Sequence, residues 1–229
     1  MKKLGLIGGI SWVSTADYYR FINEGINEKL GGVNFAECMI YSFNYNDIKN
    51  NNDNNDWEST FNMLSKASQS LKNSGAEAII LCANTMHVIA DRIQESIGLP
   101  LIHIATETAK EIQKTNIKRV GLLGTKFTME LDFFKDKLSA LDIETIIPET
   151  DDREFIHETI FNELGKGLIL ESTKKRYLSI IEKLIDNGAE GIILGCTEIP
   201  LLVKQDEVKV PVFDTALIHS NAAVAFALS

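Results

Sequence analysis

The chain has 229 residues, 45% of them hydrophobic and 24% charged, with only four prolines; that is enough apolar material for a sizeable core and argues against intrinsic disorder. Its formal net charge of −9 disfavours nonspecific binding to nucleic acid or anionic lipid. No apolar run approaches the roughly 18 residues of a membrane span. A soluble α/β protein is expected.

Taken in chain order, Lys2 and Lys3 lead into an apolar run, Leu4–Ile7, which Gly8 and Gly9 break before Ser11. This run is too short for a signal-peptide core and is read instead as a first strand. Cys38 enters a second strand, Met39–Phe43, as a small packing residue. The Asn50–Asp56 tract that follows is polar and low in complexity, and is read as a solvated loop or a mobile cover that Trp57 ends. A third strand, Ala78–Cys82, ends in Cys82-Ala83-Asn84-Thr85, with His87 five residues beyond the sulfur. Leu101–Ile104 is the fourth, with His103 near its end.

The pattern then starts again. Strands are expected at Val120–Leu123, Thr145–Ile147, Gly191–Gly195 and Val210–Phe213, separated by helical stretches that contain His157 and, after the last strand, His219. Strands alternating with helices imply βαβ units and parallel sheets. KLGLIGGIS from Lys3 recurs as RVGLLGTKF from Arg119, an offset of 116, and GAEAIILC from Gly75 recurs as GAEGIILG from Gly188, an offset of 113. Pro100-Leu-Ile-His recurs as Pro211-Val-Phe-Asp, offset by 111. Three landmarks in one order point to two pseudo-symmetric parallel-sheet lobes, the second copy of the first. Open parallel sheets bind ligands beyond the carboxyl ends of their strands. Cys82 closes the third strand and Cys196 follows the seventh, so two thiols occupy corresponding places.

If the lobes face each other across an inter-lobe site, two such thiols can approach one carbon from opposite sides. One then removes a proton and the other returns one, which is racemisation. A thiolate serves as base only when its pKa falls from roughly 8.5, and helix N-termini after each cysteine would help. Asn84 and Thr85 after Cys82, and Thr197 and Glu198 after Cys196, place amide, hydroxyl and carboxyl groups beside each sulfur, suited to a substrate carboxylate or to helix capping. No CxxC or other metal-binding spacing links the three cysteines, and an odd thiol count suits a reducing cytoplasm. Gly5-x-x-Gly8-Gly9 is neither GxGxxG nor a P-loop, and no Schiff-base lysine motif marks pyridoxal phosphate.

GLIGGISWVSTADYY, LCANTMH, LLGTKFTM and GCTEIPLL, in that order, resemble the cofactor-independent aspartate/glutamate racemase family, in particular its aspartate and broad-specificity amino-acid racemase branch. The resemblance implies two α/β lobes, a catalytic pair Cys82 and Cys196, no cofactor, a small amino-acid substrate and a homodimer. It also implies that the end of the chain returns to the first lobe, giving 1–100 with 211–229 for that lobe and 101–210 for the second. Ser11, Asn84, Thr85, Thr125, Thr197 and Glu198 match substrate-binding positions; Glu198 stands where cell-wall glutamate racemases carry His. The match departs from aspartate-specific relatives in having no Arg between Arg20 and Arg92. Lys49 is the only basic residue in Asn44–Asn62, and Lys166 lies one position past the lysine expected near Gly165. Without a guanidinium fork for a second carboxylate, broad specificity is expected. Binding without turnover, or a related decarboxylation or isomerisation, are the alternative activities. His87 and His103 are read either as proton-transfer aids or as hydrogen-bonded structural residues.

Overall fold

A computed structural model describes all of residues 1–229 and divides into two compact units, Met1–His103 with His219–Ser229, and Ile104–Ile218.

In the first unit, β1 (Leu4–Gly8), α1 (Trp12–Leu30), β2 (Cys38–Ser42), α2 (Tyr45–Asp53), α3 (Trp57–Asn73), β3 (Ala78–Leu81), a single 3-10 turn (Thr85–Ile89), α4 (Ala90–Ile97) and β4 (Leu101–Ile102) build a parallel sheet in the order β2-β1-β3-β4. Both β1 and β3 are buried along their whole length, which is why each reads as an unbroken apolar run. Their register, Leu4 opposite Ala78 and Ile7 opposite Leu81, makes the two strands end together.

The second unit repeats the plan. It contains α5 (Ile104–Gln113), β5 (Arg119–Gly124), α6 (Lys126–Glu130), α7 (Asp132–Ser139), β6 (Glu144–Ile146), α8 (Thr150–Asn162), α9 (Glu171–Asp186), β7 (Gly191–Gly195), α10 (Ile199–Leu202) and β8 (Val212–Asp214), with a parallel sheet in the order β6-β5-β7-β8. The last helix, α11 (Thr215–Ala227), begins in this unit and ends in the first. Here too β5 and β7 end in register, Gly124 opposite Gly195.

The duplication extends to packing. A Cβ on Gly5 would lie 2.9 Å from Ala76 Cβ and 3.1 Å from Leu71 Cβ; one on its counterpart Gly121 would lie 2.9 Å from Leu184 Cδ1. Each glycine therefore lets a helix approach its central strand. Ile7, Leu64, Ile79, Leu81 and Ile93 centre one core, and Leu122, Leu123, Phe134, Tyr177, Ile192 and Leu194 the other.

Several expectations are corrected. Leu101–Ile102 pairs with β3 in the first sheet, although 101–210 was assigned to the second lobe; Val212–Asp214 pairs with β7 in the second sheet, although 211–229 was assigned to the first. In each case the fourth strand stays hydrogen-bonded to its own sheet, and the chain changes unit only after it. The Asn-rich tract is not simply a loop: Asn50–Asp53 complete α2, where Ile48 and Asn52 are buried and Thr60 Oγ1–H donates to Asn52 Oδ1 over 3.5 Å. Only Asn54–Asp56 lie between helices, and Asp56 caps α3 by accepting from the Ser59 N–H at 2.9 Å.

Candidate functional site

Within the first unit, the ends of β1 and β3 carry four of the residues singled out by sequence: Ser11, Cys82, Asn84 and Thr85. The chain leaves β1 through Gly9, whose φ of +79° suits glycine. Gly9 N–H donates to Thr15 Oγ1 at 2.9 Å, and Thr15 Oγ1–H donates to Ser11 O at 2.9 Å. Ser11 caps α1, its Oγ accepting from Ser14 N–H. The adjoining turn is bound to this one: Cys82 N–H donates to Ile7 O at 2.9 Å, and the buried Ser14 Oγ–H donates to Cys82 O at 2.7 Å. Ser14 and Thr15 were missed as functional side chains, although the hydroxyl pair three and four residues after a helix cap was a readable signal.

Cys82 lies one residue past β3 and is 1% exposed. By register Cys82 is the counterpart of Gly195, so Cys196 lies one residue further along its turn, and the expectation that Cys82 ends the strand is off by one residue. Asn84 is buried and Thr85, half-buried, opens the 3-10 turn.

In the second unit the ends of β5 and β7 carry Thr125, Cys196, Thr197 and Glu198. Thr125 caps α6, accepting from Thr128 N–H at 3.3 Å. Cys196 Sγ–H donates to Glu198 Oε2 at 2.9 Å, and Thr197 Oγ1–H donates to the same oxygen at 2.8 Å. Glu198 is 5% exposed, so a carboxylate sits against the thiol in a water-poor setting. The sequence placed these three residues together; that they hydrogen-bond one another depends on side-chain geometry that spacing does not carry.

The electrostatics differ from expectation. Burial pushes the Cys82 thiol well above its ordinary value, with a smaller contribution from Cys38. Cys196 keeps some solvent contact, yet its packed surroundings raise it most; the Glu198 charge adds to this, and the Thr197 and Glu198 backbone N–H groups oppose it. Helix N-termini do not outweigh this desolvation, because the element after Cys82 is one 3-10 turn and α10 has four residues. Both sulfurs are thereby biased toward the protonated thiol.

The remaining candidates separate clearly. Lys49 is ion-paired with Asp53 one helical turn along α2, and Lys166 is exposed at the end of a 3-10 turn. His87 is 2% exposed, with Nδ1 3.1 Å from Ala83 O and 3.2 Å from Asn84 O. His157 Nδ1 accepts from Lys126 N–H at 3.2 Å. Cys38 is half-buried on the edge strand β2, and burial raises its thiol pKa. No group of three or more His, Cys, Asp or Glu side chains is arranged to hold a metal ion, and no helix is long and apolar enough to cross a membrane.

Comparison with known proteins places this geometry. The family model for Asp/Glu/hydantoin racemases matches residues 7–223. A Yersinia pestis protein, a candidate Asp/Glu racemase, has a crystal structure 46% identical in sequence with a TM-score of 0.95, covering 100% of both chains. An aspartate racemase homologue from Pyrococcus horikoshii OT3 is 36% identical with a TM-score of 0.87, again over 100% of both chains. RacX, a broad specificity amino-acid racemase of Bacillus subtilis (strain 168), is 24% identical over 163 residues, 68% of this chain and 66% of that protein. The repeated parallel sheets, the two corresponding cysteines and these matches lead to one assignment: the chain belongs to the Asp/Glu/hydantoin racemase family.

Proposed function

We propose that this amino-acid racemase moves the α-proton of its substrate between Cys82 and Cys196, without a cofactor, and that it accepts aspartate, glutamate or a broader set. The observation that carries this reading is the correspondence of the two thiols: each follows directly on a central strand of a parallel sheet, in two sheets of the same strand order.

One cysteine enters each turnover as thiolate and the other as thiol. The thiolate takes the α-proton, leaving a carbanion whose charge spreads into the substrate carboxylate. The second thiol then delivers its own proton to the opposite face and is left as thiolate. No proton is gained or lost overall, and the pair finishes in the reverse protonation state. Glu198 supports the Cys196 half: its carboxylate already accepts the Cys196 proton, so transfer along that hydrogen bond yields the thiolate. For Cys82, with no carboxylate hydrogen-bonded to its sulfur, a substrate ammonium is the source of stabilisation. Ser11, Asn84, Thr85, Thr125 and Thr197 are the proposed substrate-binding set, using backbone N–H and side-chain donors at the strand ends. Cys196 is assigned to the L-enantiomer and Cys82 to the D-enantiomer.

Specificity follows from what the β2–α3 segment lacks. Its one cation, Lys49, is engaged with Asp53, and no guanidinium stands nearby in sequence to grip a second carboxylate. The protein is further proposed to act as a homodimer in a reducing cytoplasm. Exposed Val33, Phe35, Ile40 and Tyr41 support the first point, and three unpaired thiols the second. Single-enantiomer amino acids, followed by polarimetry with reduced protein, test the activity. Racemisation of glutamate and neutral amino acids alongside aspartate is the expected result; inversion of none overturns the reading.

A further inference from the structure

Behind the Cys82 turn lies a group of side chains that the proposed chemistry does not use. His87, His103 and His219 bury their rings in the first unit, at 2%, 8% and 0% exposure, beside the fully buried Tyr18. The His87 ring meets His103 edge-on at 4.8 Å between centroids and His219 at 5.4 Å. His219 is fixed at both nitrogens: Nδ1 accepts from Tyr18 O–H at 2.8 Å and Nε2–H donates to Ile102 O at 2.7 Å. These contacts hold the His87 ring between the end of β4 and α11.

The two atoms facing His87 Nδ1 are both carbonyl oxygens, Ala83 O and Asn84 O, so this nitrogen carries the proton. Those carbonyls belong to the two residues directly after Cys82. On the other side, Ser14 Oγ–H holds Cys82 O. Every carbonyl from Cys82 to Asn84 thus accepts a hydrogen bond from a buried side chain. His87 Nε2 is itself buried without a well-formed hydrogen bond, in the neighbourhood of the Ile102 carbonyl. A residue selected only to fill this core would be apolar, since a buried nitrogen left unsatisfied is destabilising.

We propose that His87 is a positioning residue for Cys82, its Nδ1–H locking the Cys82–Asn84 turn so that the sulfur and the Asn84 side chain keep a fixed relation. The inference rests on the reading of Cys82 as a reacting thiol. His87 does not touch substrate; it acts through the two carbonyls, while His219, Tyr18 and His103 hold its ring in place. Its imidazole is neutral, its pKa lowered to about 4 chiefly by burial, so it is a donor and not a titrating acid at working pH.

The test uses His87→Phe, which keeps a ring and loses the donor, and His87→Asn, whose Nδ2 can stand where Nδ1 stands. In His87→Phe, kcat is expected to fall about tenfold or more with KM little changed, as for a small misplacement of a reacting group, and His87→Asn restores most of the loss. Iodoacetamide labelling of the unliganded protein, read peptide by peptide, is expected to show Cys82 alkylated about fivefold faster in His87→Phe, with Cys196 as an unmoved internal reference. Should His87→Phe fail to fold, Ser14→Ala removes the other tie and the same Cys82-selective rise is expected. Unchanged Cys82 labelling, or equal acceleration at both cysteines, overturns the proposal. If the wild-type protein racemises nothing, the reading of the site has failed, and the labelling still decides whether His87 holds the turn.

Discussion

Acidification should loosen the first unit before it affects the second, because two buried imidazoles lie there, and the Asp91 charge near His87 offsets only a small part of its burial. His87 and His219 have pKa values lowered to about 4 and about 3, in both cases chiefly by burial; for His219 the neighbouring His87 adds to this. In the unfolded chain each titrates at its ordinary value of 6.5. Below that pH the unfolded chain takes up protons that the folded chain refuses, so stability is lost as pH falls from 6.5 toward the folded values and is fully present above 6.5. At pH 5 each ring has cost about 2 kcal/mol, and the pair about 4 kcal/mol, on the scale of 1.36 kcal/mol per pH unit. That is a large part of the roughly 5–15 kcal/mol that holds a typical domain. Carboxylates do not obscure the window: Asp56, Glu154 and Glu207 are all held below their ordinary values of 3.8 or 4.5 by hydrogen bonds, so their contributions persist until the pH is lower still. Hydrogen exchange read by peptide at pH 7.5, 6.5 and 5.0, corrected for the intrinsic exchange rate, is the assay. Opening free energies should drop between pH 6.5 and 5.0 in peptides from Met1–His103 and His219–Ser229. A drop confined to Ile104–Ile218, or none, would refute the reasoning.

Further outcomes follow from the strand ends. Glu198→Gln removes the charge that helps hold the Cys196 proton while leaving burial in place, so the pH profile for Cys196 alkylation should move down by about one unit; an unchanged or raised profile contradicts the coupling. Gly195→Ala places a Cβ 2.6 Å from Leu123 O, a backbone atom that cannot swing away. It should cost about 1–3 kcal/mol in urea unfolding and lower turnover through the adjoining Cys196; wild-type stability would show that β5 and β7 tolerate separation. Cys38→Ser should fold and racemise normally, since this edge-strand thiol serves neither turn, and loss of activity in a folded variant would reassign it. In kcat/KM, glutamate or neutral amino acids should compete with aspartate, whereas a wide margin for aspartate would mean that a cation outside the β2–α3 segment binds its side chain.

The central strands were legible because burial on both faces leaves no polar positions: Gly191–Gly195 was bounded to the residue, and Leu4–Ile7 and Val120–Leu123 to within one or two. Strand edges were harder. Ile104 looks like a continuation of β4, but it opens α5 and packs in the second core, and an apolar residue at a strand end carries no mark of which element owns it. The Asn-rich tract concealed α2 for the opposite reason, since weak helix formers are carried there by packing of Ile48 and Asn52. At the site, the repeat placed the two cysteines within one residue of equivalent positions. Their protonation was not legible: helix N-termini after each cysteine favour thiolate, whereas burial raises both thiols and the Glu198 charge adds to this at Cys196. The Ser14 hydroxyl was readable as part of the cap, but its bond to Cys82 O was not, because 68 residues separate donor from acceptor.

The two-thiol account is tested most directly by α-hydrogen exchange in heavy water with Cys82→Ser and Cys196→Ser, each supplied with one enantiomer at a time and followed by mass spectrometry alongside chiral separation. Both variants should lose net inversion, because one thiol cannot serve both faces of the α-carbon. Cys82→Ser should retain residual exchange from the L-enantiomer through Cys196, and Cys196→Ser from the D-enantiomer through Cys82, with deuterium entering substrate of unchanged configuration. Near-normal racemisation in either folded variant would contradict the account.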